Sequence, residues 1–199
     1  NDFRMLRFLK SESVISINTW LVLQKAKKSG LLDYRMYSRA LGELSSCFYT
    51  FIVFNGDDLY LIAADDNFKL TARIYHLINQ IFLPGTNYKS FSEVFVKFIW
   101  NLWKSGALTE DKVFWLGYLS DIIGELVEKN LMATPEEKEA VLATSGDFGV
   151  MWNVAIKEGN AEDISALCAA FPNMLKRVVF SKARIRIEEK LKERLQENK

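Results

Sequence analysis

The sequence predicts a mainly α-helical protein with a small α/β part at its N-terminal end. Three observations predict it. Two β-branched or aromatic runs, at 14–17 and 49–54, are separated by two helix-length segments. From about residue 57 onward, apolar residues recur at helical spacing with no further strand signal. Short polar, proline or glycine breaks punctuate that region, as in an antiparallel helical array. Two strands joined through helices on one side form a parallel pair, because a crossover of that length returns the chain in the same direction. The expected division is an α/β portion over 1–56 and a helical domain over 57–199.

In chain order, 1–12 reads as a short helix that Asp2 can cap. Phe3, Leu6 and Leu9 form one stripe of it, and Arg4, Arg7 and Lys10 another. Val14, Ile15, Ser16 and Ile17 make the first strand. Asn18 and Thr19 can cap a helix over 19–29. Lys25, Lys27 and Lys28 complement the dipole at its end, and Gly30 suits the left-handed position that follows. Asp33 caps a helix over 33–45 with Tyr34, Tyr37, Leu41 and Leu44 at helical spacing. The run 49–54 is the second strand. Asn55, Gly56, Asp57 and Asp58 are turn chemistry followed by a helix cap. That helix pauses near Asp65, Asp66 and Asn67. Another helix over 68–82 places Ala72, Tyr75, Ile78 and Phe82 on one side, and Pro84 with Gly85 marks the clearest boundary. Further helices are expected over 90–105, 109–131, 134–145, 147–158, 160–171 and 173–198. Thr134, Pro135, Glu136 and Glu137 form a cap, a proline at the first helical position and an acidic first turn. No repeat period emerges.

The chain has 199 residues, 49% of them hydrophobic and 13% aromatic, which suits a packed core rather than disorder. No apolar run is long enough to span a bilayer, and no basic-then-apolar leader opens the chain. No membrane partner and a cytoplasmic setting are therefore expected. Cys47 and Cys168 lie among apolar neighbours and read as buried thiols of a reducing compartment. One histidine, His76, with no Cys/His spacing argues against a classical zinc site. The chain begins at Asn1 rather than methionine, as a piece of a longer protein would. Charge is uneven. Residues 1–40 carry eight Lys/Arg against three Asp/Glu, 41–175 nine against eighteen, and 176–199 nine against four. Basic ends can mark an anionic partner, or simply pair with the acidic middle.

The order strand, helix, glycine, helix, strand is carried by Ser13 to Thr19, by Gly30 before Leu31, Leu32 and Asp33, and by Tyr49 to Val53. It resembles the C-terminal part of a PIN-type (PilT N-terminus) nuclease domain that continues into a helical region. Asn1, Asp2, Phe3 and Arg4 resemble the D-D-R triplet of some bacterial members, with Asp2 as the matching carboxylate. The resemblance covers about residues 1–65. Asn1 stands where the first aspartate would be, Phe3 separates Asp2 from Arg4, and the family's N-terminal half is absent. The resemblance implies a metal-dependent ribonuclease in a longer parent protein, with RNA as substrate. In that site several carboxylates gather magnesium or manganese to activate water. Asp2 would be both the catalytic residue and the metal ligand. One carboxylate cannot build such a site, so the isolated chain is not expected to be catalytic and implies no cofactor of its own.

Other candidates each have two readings. Arg4 and Arg7 beside Asp2, and Lys176, Arg177, Lys182, Arg184 and Arg186 near the end, could follow a phosphate backbone. The later set is tempered by Glu188, Glu189 and Glu193, as on a solvated terminal helix. Asp57 with Asp58, and Asp65 with Asp66, could hold a hard cation or serve helix starts. Trp100, Trp103 and Trp115 could stack bases or form a helix seam. His76 could move protons or simply pack. The aromatic load of 90–120 supports a different function: a non-catalytic α-helical module for protein interaction within a larger intracellular protein.

Overall fold

The computed structural model describes residues 19–47, 52–83, 86–129 and 135–197. The expected helix at 1–12, the strand at 14–17, and Asp2, Arg4 and Arg7 lie outside the described residues. Every regular element among the described residues is helical. The helices are α1 (Thr19–Lys28), α2 (Tyr34–Ser46), α3 (Gly56–Asp65), α4 (Ala72–Asn79), α5 (Tyr88–Lys104), α6 (Thr109–Lys129), α7 (Pro135–Glu158), α8 (Ala161–Ala170) and α9 (Ser181–Glu197). Short 3-10 turns at Gln80–Phe82, Phe171–Asn173 and Val178–Phe180 link them.

The expected α/β portion with parallel strands is corrected. Of the strand expected over 49–54, the described residues 52–54 join no sheet. The N–H groups at the two ends of the stretch 52–55 are taken by side chains instead. The Ile52 N–H donates to Gln80 Oε1 at 2.9 Å, and the Asn55 N–H donates to Asp58 Oδ2 at 3.0 Å. The β-branched run is buried on alternate residues, Ile52 and Phe54, as a strand would be, but against helices.

Helix α5 is central. Ser92, Phe95, Phe98, Ile99, Leu102 and Trp103 recur at helical spacing and form its buried face. It packs most extensively on α7, and also on α3 and α6. A Ser92 hydroxyl donated to Asp147 ties it to α7. Helix α2 lies on α3 and α4, while α8 packs on α6 and α9. The buried apolar cluster runs from Tyr37 to Leu191. Within it Phe98 meets Trp115 edge-on at 5.1 Å, and Phe148 stacks on Phe180 at 4.1 Å.

Several boundaries differ from expectation. The helix expected over 68–82 starts only at Ala72, because Asn67 and Phe68 adopt positive φ angles of 50° and 57°. That kink turns the Phe68 carbonyl to the Trp115 indole N–H, 2.8 Å away. No break occurs near Ser145 and Gly146, and α7 is continuous through them. The last segment is not one helix, since Leu175 takes a φ of 53° before α9 begins.

Candidate functional site

The site is built on the turn that opens α3. Asn55 is the N-cap, in extended conformation, and its Oδ1 accepts from the Asp57 and Asp58 N–H groups, each at 2.9 Å. Asp58 returns the bond to the Asn55 N–H, which completes a capping box. Helix α2 braces the box from outside. The Tyr34 hydroxyl donates to Asn55 Oδ1 at 3.1 Å and the Ser38 hydroxyl to Asp58 Oδ1 at 2.8 Å. Burial, reinforced by the Asp58 charge, pushes the Tyr34 phenol well above its ordinary range.

Gly56 lets this turn approach α5. A Cβ at position 56 would stand 2.5 Å from Lys97 Cβ and 2.6 Å from the Val94 carbonyl oxygen, so only glycine fits. The approach seats Phe54 edge-on against Phe91, centroids 5.5 Å apart. On the other side, the 3-10 turn after α4 brings up Gln80. Its carbonyl accepts from the Thr86 hydroxyl at 2.9 Å, and Asn87 caps α5 by accepting from the Ser90 N–H at 3.1 Å.

Between these parts lies a cavity of about 310 Å³, walled chiefly by Ile52, Phe54, Gln80, Leu83, Phe91 and Val94. None of its described lining residues carries a charge. Val53 stands at it, 61% exposed. Gln80 is only 5% exposed. The Ile52 N–H can only donate, so it fixes Oε1 toward itself and assigns the other end of the amide as the donor. That donor, Nε2, has no acceptor among the described residues. Leaving a buried donor unmatched costs about 1–3 kcal/mol. A largely apolar hollow with a few polar groups at its wall, Gln80, Thr86, Asn87 and Ser90, has the character of a binding site.

The other candidate residues are occupied or dispersed. Asp57 meets Asn101 at 2.6 Å and Lys97 at 3.4 Å. Asp65 takes Arg35 and, at 3.6 Å, Arg39. Burial would raise the Asp66 carboxyl, but hydrogen bonds from Arg73 and Thr71 and the charges of Arg73 and Arg39 outweigh it and hold the group below its ordinary range. These acids bridge helices, and among the described residues no three Asp, Glu, His or Cys side chains converge as a metal would need. Trp103 and Trp115 are buried in the core, whereas Trp100 is exposed under Lys104, whose Nζ lies 4.0 Å from its ring centroid. His76 is half-buried, edge-on to Tyr75 at 5.6 Å.

The basic residues near the end do not form one surface strip of free cations. Arg177 is paired with Glu128, and Arg184 lies over the Phe171 ring at 5.7 Å. Lys176, Lys182 and Arg186 are exposed. Cys47 is exposed rather than buried, at the end of α2. Cys168 is half-buried, and that burial raises its thiol pKa. No helix among the described residues is long and apolar enough to cross a membrane.

Sequence reasoning missed Gln80 and the cavity. Asn55 and Asp58 at capping-box spacing were a readable local signal. Gln80 had none, since a glutamine at the end of an amphipathic helix reads as surface until the chain folds Ile52 onto it.

The chain matches no protein-family model, no curated protein and no solved structure.

Proposed function

We propose that this chain is a non-catalytic α-helical protein-interaction module, and that it engages its partner at the cavity beside residues 52–54. The observation that carries this reading is the uncharged hollow between the α3 turn and the N-terminal turn of α5, with exposed Val53 beside it. Apolar surface left in a concave site is recovered when a partner covers it, at about 25 cal/mol per Å² of area removed from water. The nuclease resemblance drew part of its support from a strand at 49–54, and residues 52–54 are not in a strand.

The test is photo-crosslinking of the full chain in cells, with the crosslinking residue placed at position 53 or, as a distant exposed control, at Ile185. Position 53 is expected to give an adduct whose partner peptide is identified by mass spectrometry. Filling the cavity with Val94→Trp abolishes that adduct while the helical circular dichroism spectrum is retained. Equal labelling from both positions, no adduct, or an adduct indifferent to Val94→Trp would overturn the reading.

A further inference from the structure

We propose that the outward face of α1 docks on the outward face of α6 in a second copy of this chain. This goes beyond the cavity beside residues 52–54, which neither face lines.

Helix α1 has no buried residue and no acid. Trp20, Leu23 and Lys27 share its inner side. Trp20 and Leu23 pack against the core, and Lys27 Nζ lies 4.2 Å from the ring centroids of both Tyr34 and Tyr37. The opposite side is carried by Leu21, Lys25 and Lys28, at steps of four and three residues, which keeps them on one line. Lys25 and Lys28 are exposed, and so is Leu21, at 55%, with Val22 beside it. The face is apolar at its start and cationic at its end.

Helix α6 presents the counterpart. Phe114, Tyr118 and Asp121 follow the same steps of four and three, with Glu125 one turn further on. Phe114 is 45% exposed and stacks flat on Tyr118, Asp121 is exposed, and Glu125 is half-buried. Both lysines of α6 are engaged, Lys112 inside with Asp163 and Lys129 at the end with Glu125. The face is aromatic at its start and acidic at its end.

Laid parallel, the two lines match in register. Leu21 meets Phe114, Lys25 meets the Tyr118 ring, and Lys28 meets Asp121 with Glu125 beyond it. The contacts are one apolar, one cation–π and one ionic. An anionic lipid surface would complement α1 but would repel the acids of α6; a second copy accounts for both faces. The two faces differ, so the contact is head-to-tail and passes from copy to copy. A ten-residue helix is about 15 Å long, which places the interface among the small ones, with weak and salt-dependent association.

The experiment is sedimentation velocity of the full chain over a range of concentrations, at low and high salt. Concentration-dependent association that weakens with salt is expected. Two variants reverse the charges: Lys25→Glu with Lys28→Glu, and Asp121→Lys with Glu125→Lys. Each alone should associate at least tenfold more weakly with its helical circular dichroism spectrum retained, and an equimolar mixture of the two should recover association. Adding Phe114→Ala to the first variant and Leu21→Ala to the second keeps every charge and should remove that recovery. A chain that stays monomeric throughout, whether or not it co-sediments with phosphatidylserine vesicles, would overturn the proposal. So would association indifferent to charge reversal, or recovery that survives the two alanine changes, which would be general attraction between oppositely charged molecules. The crosslinking result at position 53 is independent of all of these.

Discussion

At the scale of single residues, the site depends on atoms that face one another across long stretches of chain. Tyr34 is the clearest case, since its hydroxyl reaches the Asn55 cap from another helix. Its phenol pKa lies above the ordinary value of 10.0, chiefly through burial. A raised folded-state value means that the folded protein holds the proton more tightly than the unfolded chain does. The associated stability is fully present below about pH 10 and is lost as pH rises above it. Tyr37 and Tyr118 are shifted the same way by burial and add to the same limb. Tyr34→Phe is therefore expected to make the decline of melting temperature above pH 10 shallower, measured by thermal denaturation across pH 8–11. An unchanged slope would show that Tyr34 does not contribute. Residue-level legibility followed locality. Asn55 and Asp58 are three apart and readable, and Gly30 takes the left-handed φ of 74° that its position after a helix suggested. Gln80 serves a residue 28 positions away and could not be read.

At the scale of elements, most helices were legible because their apolar residues recur with helical spacing, as on α5 and α6. Two elements were misread for opposite reasons. The strand expected over 49–54 had the right composition, but strand composition describes a fit to a half-buried surface, and at 52–54 helices supply that surface. Helix α7 was divided at Gly146, where glycine suggested a stop. The helix continues because Phe148, Met151, Trp152 and Ala155 beyond the glycine are all buried and anchor it. Gly146 contributes only backbone freedom there: a Cβ added to it would meet nothing within 4 Å. Gly146→Ala is expected to stabilise the protein by about 0.5–1 kcal/mol, read from the urea unfolding midpoint at unchanged slope. Destabilisation would mean that the helix needs a glycine at this point.

At the scale of the whole molecule, the helices are tied by polar contacts whose partners lie far apart in sequence. Lys112 on α6, 6% exposed, pairs with Asp163 on α8, 1% exposed, at 2.9 Å, and the Thr109 hydroxyl reaches the same carboxylate at 2.7 Å. Removing one partner leaves the other buried without compensation. Lys112→Met is expected to cost about 3–5 kcal/mol, and Lys112→Met with Asp163→Leu to cost less than the two single changes together. Strict additivity in denaturant unfolding would refute the coupling. This order of packing was not legible: each helix could be read from its own pattern, but which faces meet depends on pairs such as Lys112 with Asp163, 51 residues apart, that leave no local mark.

Asp163 has a second duty that it shares with Asp58. Each closes the capping box of its own helix, with Asn160 and Asn55 respectively, and each also accepts from another helix. One carboxylate thus holds a helix start and a tertiary junction at once. The first turns of α3 and α8 cannot fray while α2 and α6 stay docked, nor can those junctions slacken while the turns persist. Local opening at either end, the small-scale breathing that exposes amides to solvent exchange, is thereby coupled to separation of neighbouring helices. The main chain at 52–55 leads directly into one of these starts, and its last residue, Asn55, is bonded into that junction.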